Sequence, residues 1–331
     1  GEDASGRARR SSGRPCSQRY GARALAGSLL ASGLLALALR AAAGLSRAGG
    51  PLSGPAAAEP RVEDFLVAMS ASEAPVAVPG MGLGFPHKEL SPSLFCFSVM
   101  QPGGGEEELI KYQLKHRRSI FACDDFAVIS PVKKLLGYGH QMSNGTWVPV
   151  YSWYNPVPKA KFGNRADGDA TDSFKNSLAF MQAWDTLSKS KAMEGHDWVA
   201  KADPDAVFFP YRLRRHVKRF QALSVPIYLK NCKRKEGWTD DYLFGALEVF
   251  NSAAVSAYAQ RGESCKNLPY RGWGEDMWIA RCMESLGAQM RLETELVGDK
   301  RCVYAPCTDV WRPAFHDYKA VEDWDSCWRA S

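Results

Sequence analysis

The chain has 331 residues, 45% of them hydrophobic and 24% charged, which is enough for one large core or two small ones with the charge content of an ordinary globular protein. Its net charge of +6 is confined to the N-terminal stretch, where Arg7, Arg9, Arg10, Arg14, Arg19 and Arg23 outweigh Glu2 and Asp3, Arg40 and Arg47 follow, and residues 48–331 sum to zero. A protein that tracks phosphates along a nucleic acid carries positive charge on its folded domain, so a basic tail on a neutral body argues against a nucleic-acid partner.

In chain order, the basic tail (1–23) leads into ALAGSLLASGLLALAL, an uncharged run of 16 residues at 24–39. Arg40 interrupts it and apolar character resumes to residue 45. A full membrane span takes about 20 apolar residues. The arginines before the run fit the positive-inside rule, which places the bulk of the chain on the far side of a membrane. Residues 24–45 thus read as a signal-anchor. The competing readings are a cleaved signal peptide, with AAAG near a small-residue cleavage site, and disorder. Either membrane reading sends the body into the secretory pathway, as a single-pass type II protein of the Golgi or ER membrane or as a secreted one. Cysteine usage agrees: Cys16 precedes the run and eight cysteines follow it, an even number that points to disulfides in an oxidising compartment. Their pairing is not readable, and no CxxC pair supports a zinc site. An NGT sequon at Asn144 is permitted there. Residues 46–90, rich in Ala, Gly, Pro and Ser, read as a flexible stem.

The predicted folded domain is 91–331. SLFCFSVM is a buried-strand candidate. GGGEEELIKYQLKHRR is a helix after a glycine break, with acids first and bases last. SIFACDDFAVIS reads as one or two strands, and TWVPVYSWY as another. TDSFKNSLAFMQAWDTLSKS places Phe174, Leu178, Met181, Trp184 and Leu187 at helical spacing, with Thr171 or Asp172 as its cap. HDWVAKADPD enters a strand and leaves it at two carboxylates. YRLRRHVKRF is a short basic helix, VPIYLKN and YLFGALEVF are strands, and NSAAVSAYAQR and EDMWIARCMESLG are helices, the second closed by Gly287. AQMRLETELV returns to a strand. Alternation of this kind predicts an α/β sandwich on a mostly parallel sheet flanked by helices.

In such sheets ligands bind beyond the carboxyl ends of strands. Asp203 and Asp205 lie at one such end, and Pro204 stops the pairing there. Two residues apart on an extended segment, the two carboxylates point to the same side, and paired hard oxygens suit Mg²⁺ or Mn²⁺. The plain alternative is a polar turn in which Asp205 caps the following helix. FACDD, read as the end of an early strand, puts Asp124 or Asp125 where either meets a nucleobase or ribose, or caps a helix. Lys201, Arg212, Arg214, Arg215, Lys218 and Arg219 are candidates to face phosphates or to form a solvated basic face. No G-x-S-x-G, Walker loop or H-E-x-x-H is present in the sequence.

HDWVAKADPDAVFFPYRLRRHV resembles the metal-site segment of the GT-A glycosyltransferases, of the Fringe and core 1 β1,3-galactosyltransferase kind. GWGEDMWIARCMESLGA resembles the acceptor-side segment of the same enzymes, and RPAFHDYK places His316 where the family carries a metal-binding histidine. Pro204 departs from the family's run of three acids. The resemblance covers roughly residues 93–325. It implies a GT-A (Rossmann-like) domain behind an N-terminal membrane anchor. The implied activity is metal-dependent, inverting transfer of a sugar from a nucleotide-sugar, UDP-linked, to a hydroxyl of a glycan or glycoprotein. By the same resemblance Asp205 ligates Mn²⁺ (or Mg²⁺), Asp203 contacts the metal or the ribose, and His316 completes the set. Asp276 is the general base, with Glu275 the neighbouring alternative. The start of a helix is expected to keep Asp276 ionised. Trp273 is placed to stack on a sugar ring or to pack in the core. The rival readings are a non-catalytic GT-A-like protein and a disulfide-rich interaction protein of the secretory pathway.

Overall fold

The computed structural model describes residues 92–156, 160–169, 174–233 and 242–331. The basic tail, the predicted anchor, the stem and the candidate caps Thr171 and Asp172 lie outside them. No described helix is long and apolar enough to cross a membrane.

The strands are β1 (Leu94–Val99), β2 (Asp125–Ser130), β3 (Leu135–Gln141), β4 (Trp147–Tyr151), β5 (Trp153–Tyr154), β6 (Lys161–Phe162), β7 (Phe174–Lys175), β8 (Trp198–Ala202), β9 (Val207–Phe208), β10 (Ile227–Lys230), β11 (Leu247–Asn251), β12 (Gln289–Leu292), β13 (Val297–Gly298) and β14 (Ala314–Phe315). The helices are α1 (Gly105–His116), α2 (Ser177–Ser190), α3 (Pro210–Val217), α4 (Ser252–Arg261), α5 (Glu275–Ser285) and α6 (Val321–Ala330). A seven-stranded sheet runs β12-β10-β11-β8-β1-β2-β5. Only β11 is antiparallel to its neighbours, so the expected mixed α/β fold on a mostly parallel sheet is present.

Both faces of the sheet are covered, which is why its central strands are apolar throughout rather than alternating. On one face Phe95, Phe97, Val199 and Phe250 pack against Met181, Trp184 and Leu187 of α2 and Trp278 of α5. On the other, Leu94, Cys96, Trp198, Ala200 and Val249 pack against Ile110 and Leu114 of α1 and Leu213 and Val217 of α3. Trp184 is fully buried and meets Phe97, Phe250 and Tyr258 at ring-centroid distances of 5.6, 5.0 and 5.1 Å.

Several expectations need correction. Residues 119–122 form a 3₁₀ turn, so SIFACDDFAVIS holds one strand, and Asp124 and Asp125 stand at its beginning. TWVPVYSWY breaks into β4 and β5 at Ser152, whose hydroxyl donates to Val132 O at 2.8 Å. The helix expected from residue 171 starts at Ser177, and Phe174 lies in β7, exposed and edge-on to Phe162. α3 begins at Pro210 with Phe209 at the cap position and no side-chain cap bond, so Asp205 does not cap it. Its face is not simply solvated either. Arg212 is buried and donates to the carbonyls of Asp309, Arg312 and Ser331, and Arg214 is buried on Asp124 at 2.6 Å.

All eight cysteines after residue 90 pair: Cys96–Cys123, Cys232–Cys302, Cys265–Cys282 and Cys307–Cys327. That pairing removes the zinc alternative for them. Gly287 closes α5 at φ +87°, a left-handed position where a Cβ is strained, as the sequence predicted. Asn144 of the sequon is exposed at the β3–β4 turn.

Replacing Trp184 by Ala removes one of the two buried tryptophans of the first core layer. It is expected to cost about 3–5 kcal/mol, read as a lowered urea midpoint with unchanged slope.

Candidate active site

The site is assembled by a second, three-stranded sheet, β13-β14-β9. β8 ends at Ala202, and a turn closed by Ala206 N–H donating to Asp203 O at 3.0 Å carries the two carboxylates. The chain then enters β9, where Val207 pairs with Phe315 of β14 and Gly298 of β13 pairs with the same Phe315. Asp205, Asp299 and His316 each lie one or two residues from these paired positions. Residues about a hundred apart in sequence are therefore delivered to one point by backbone pairing. Gly298 is needed for that approach: a Cβ there meets Ala305 Cβ and Phe315 Cδ1, each at 3.0 Å.

One ligand atom each from Asp203, Asp205 and His316 can be chosen so that all lie within 4.8 Å of one another, a set that fits a divalent cation. Two carboxylates with one imidazole suit Mn²⁺, and the carboxylates also suit Mg²⁺. His316 Nε2 is 3.4 Å from Asp205 Oδ1, while Nδ1 donates to Asp299 Oδ2 at 2.8 Å. An ionised carboxylate only accepts, so Asp299 favours a proton on Nδ1, which also lies 2.8 Å from the Arg301 guanidinium, and Nε2 is turned towards Asp205. Asp299 is itself buried and held by Arg301, through the backbone N–H at 2.6 Å and the guanidinium at 3.0–3.1 Å. The Cys232–Cys302 bridge anchors this loop to the end of β10 across 70 residues. Burial disfavours the charged imidazole, but its bonds to Asp205 and Asp299 prevail and raise His316 to about 9. Burial likewise opposes ionisation of Asp205, yet His316 and Lys319 hold it well below the usual carboxylate range.

Lys201 connects this group to α5. Val199 and Lys201 alternate with Trp198 and Ala200 along β8, so Lys201 faces the α2–α5 side. It is fully buried, bonds Asp203 Oδ1 at 2.6 Å, Glu275 Oε1 at 2.9 Å and Gly245 O at 2.6 Å, and lies 4.7 Å from the Phe180 ring centroid. Gly245 has no side chain because Glu275 Oε1 occupies the place a Cβ would take. Glu248, directly across the ladder from Lys201, is fully buried with both carboxyl oxygens unpartnered. Burial pushes its carboxyl well up, against the pull of Lys201.

The two acids at the start of α5 are driven apart by this arrangement. Glu275 accepts from Lys201, which outweighs burial and lowers its carboxyl, and its own N–H donates to Asn176 Oδ1 at 3.0 Å. Asp276, half-buried, is pushed up to about 7 by burial and by the charge of Glu275. The expectation that the helix start keeps Asp276 firmly ionised is therefore corrected: desolvation and a like charge exceed the dipole. Its Oδ1 accepts the adjacent Met277 N–H, at 2.7 Å.

The structure does not bring Asp124 and Asp125 to this cleft. Asp125 is level with Phe95 at the amino edge of the parallel strands, the opposite edge from Asp203. Asp124 accepts from Leu94 N–H and Arg214, and Asp125 holds His196 at 3.0 Å. Trp273, half-buried in the turn before α5, packs against the first core layer. Four residues at or beside the cleft are not among the candidates read from the sequence: Asp299, Glu248, Lys319, whose Nζ is 2.7 Å from Asp205 Oδ2, and Glu106. Glu106 is raised by burial and by Asp203 and Asp205.

No protein-family model and no curated protein matches the chain. Among solved structures, it is similar to a glycosyltransferase involved in the glycosylation of the major capsid of PBCV-1, at 10% identity over 71% of this chain and 98% of that one, with a TM-score of 0.40. It is also similar to a putative glucose-1-phosphate thymidylyltransferase from Bacillus anthracis in complex with a sucrose, at 12% identity over 72% and 94%, with a TM-score of 0.36. Neither score is high enough to carry fold or function.

Replacing Lys201 by Met strands Asp203 and Glu275 as unpaired, largely buried carboxylates. It is expected to destabilise the fold by about 3–5 kcal/mol, measured by urea unfolding. A loss under 1 kcal/mol, on the same scale for exposed pairs, contradicts the hub role.

Proposed function

We propose that the chain is a metal-dependent glycosyltransferase that moves a sugar from a nucleotide-sugar, UDP-linked, to a hydroxyl of a glycan or glycoprotein with inversion at the anomeric carbon. The observation that carries this reading is the convergence of Asp203, Asp205 and His316, one buried lysine away from a carboxyl poised near neutrality. The motif resemblance to GT-A enzymes of the Fringe and core 1 β1,3-galactosyltransferase kind supports the donor class and the stereochemistry.

In this reading Asp203, Asp205 and His316 hold Mn²⁺ (or Mg²⁺). A divalent ion there supplies Lewis-acid stabilisation of the charge that gathers on the leaving diphosphate. Lys201 keeps Asp203 and Glu275 in place; it lowers the Glu275 carboxyl, while burial still leaves Asp203 raised. Asp276 accepts the proton of the acceptor hydroxyl as the oxygen attacks the anomeric carbon. A base with a pKa near 7 suits that task, since it is both deprotonated and basic enough. Glu275, bound to Lys201, is occupied in holding the site and leaves the base role to Asp276. Trp273 borders the acceptor side, where an aromatic face can stack on a sugar ring. The N-terminal basic and apolar segments would place residues 91–331 in the Golgi or ER lumen on a type II anchor, with secretion after cleavage as the alternative.

The direct test incubates the chain with a panel of UDP-sugars and Mn²⁺. Metal-dependent consumption of one donor is expected, and Asp205→Asn is expected to abolish it. Asp276→Asn is expected to keep donor binding and to lower transfer by roughly a hundred- to ten-thousandfold. Because the base must be deprotonated, kcat/KM is expected to rise tenfold per pH unit below about 7 and to level off above it. A pH-independent rate across that range contradicts the assignment of Asp276.

A further inference from the structure

The Asp205 carboxylate has a second cationic partner besides His316. Lys319 Nζ lies 2.7 Å from Asp205 Oδ2, on a side chain that is 74% exposed. The backbone leading into it, by contrast, is tied down. Tyr318 N–H donates to Asp205 O at 2.9 Å, His316 N–H donates to Gly298 O at 3.0 Å, and the Lys319 carbonyl lies against Gly105 at the start of α1. The ammonium is thus a mobile charge on a four-carbon arm with a fixed pivot beside the carboxylates.

A divalent cation ligated by Asp205 and an ammonium on the same carboxylate draw on one negative charge and repel each other. Of the other acids facing the arm, Glu106 is engaged by Gln101 N–H at 2.7 Å, and Asp317 faces Lys300 and Arg301. Asp203, also near the arm, is bonded by Lys201 at 2.6 Å, so an anion brought by a ligand is a partner the released arm can take.

We propose, resting on the reading of this cleft as a metal and donor site, that Lys319 exchanges partners: it competes with the metal for Asp205, and when displaced it binds the diphosphate of the nucleotide-sugar. Metal and nucleotide then strengthen each other's binding, because the metal frees the cation that the phosphates need and the phosphates hold that cation off the carboxylate. Such coupling is reciprocal by linkage.

The test measures Mn²⁺ binding by electron paramagnetic resonance titration and UDP binding by calorimetry, on the full chain and its Lys319→Gln and Lys319→Arg variants. An exposed ion pair is lost in Lys319→Gln, so Mn²⁺ alone is expected to bind about three- to fivefold tighter. With Mn²⁺ saturating, UDP is expected to bind that variant about tenfold more weakly, the loss of one charge-assisted hydrogen bond. Lys319→Arg is expected to keep UDP affinity near that of the native chain. UDP affinity unchanged in Lys319→Gln overturns the exchange while leaving the metal site standing. Weaker Mn²⁺ binding in that variant overturns it as well. A native chain that binds neither Mn²⁺ nor UDP overturns the cleft reading itself, which separates the two failures.

Discussion

The ammonium of Lys201, sealed in the sheet and shared between Asp203 and Glu275, is the contact on which the rest of the site depends. Burying that charge costs several kcal/mol unless its partners are close and well directed. Here three acceptors satisfy it, and each belongs to a different part of the fold: the carboxyl end of β8, the start of α5 and the loop at Gly245. The same ion pair that stabilises the interior therefore fixes the distance between the carboxylates that could hold a metal and the helix that carries Asp276. It also explains the opposite fates of two adjacent acids. Glu275 is paired with the lysine, which favours its ionised form. Asp276 has no such partner and sits beside a fixed negative charge, so it titrates near neutrality.

Around this hub the architecture divides its tasks. The large sheet presents Asp203 and Asp205 at a strand end, where no further ladder bonds form. The small sheet then brings Asp299 and His316 alongside by pairing β9 with β14 and β14 with β13. Asp299 acts through His316, bonding Nδ1 so that Nε2 faces Asp205. The Cys232–Cys302 bridge closes a 70-residue loop at this point. By chain entropy such a closure contributes about 4 kcal/mol, and here it restrains the segment that must hold Asp299 steady.

Much of the large sheet was legible because its signals are local. The apolar runs of β1, β8 and β11 and the glycine that ends α5 read correctly, and the place of the two carboxylates after β8 followed from them. Asp124 and Asp125 were misplaced for a physical reason: a carboxylate pair next to an apolar run looks the same at either end of a strand, and only the 3₁₀ turn before it shows that the strand begins there. Phe174 continued the helical spacing of α2, but its partner Phe162 across β6 and β7 decided otherwise. Asp299, Lys319, Glu106 and Glu248 escaped because each owes its place to pairing between distant segments. The ionisation of Asp276 was misjudged because a helix start is visible in sequence, whereas burial and the orientation of Glu275 are not.

The central claim is that one divalent ion is held by His316 and the two aspartates while touching the phosphates of a nucleotide. Pulsed electron paramagnetic resonance of the Mn²⁺-loaded chain with UDP tests it most directly. The account predicts nitrogen coupling from one imidazole, lost in His316→Gln, together with phosphorus coupling from the nucleotide on the same ion. Mn²⁺ that shows phosphorus coupling with no histidine nitrogen, or no phosphorus coupling at all, contradicts it.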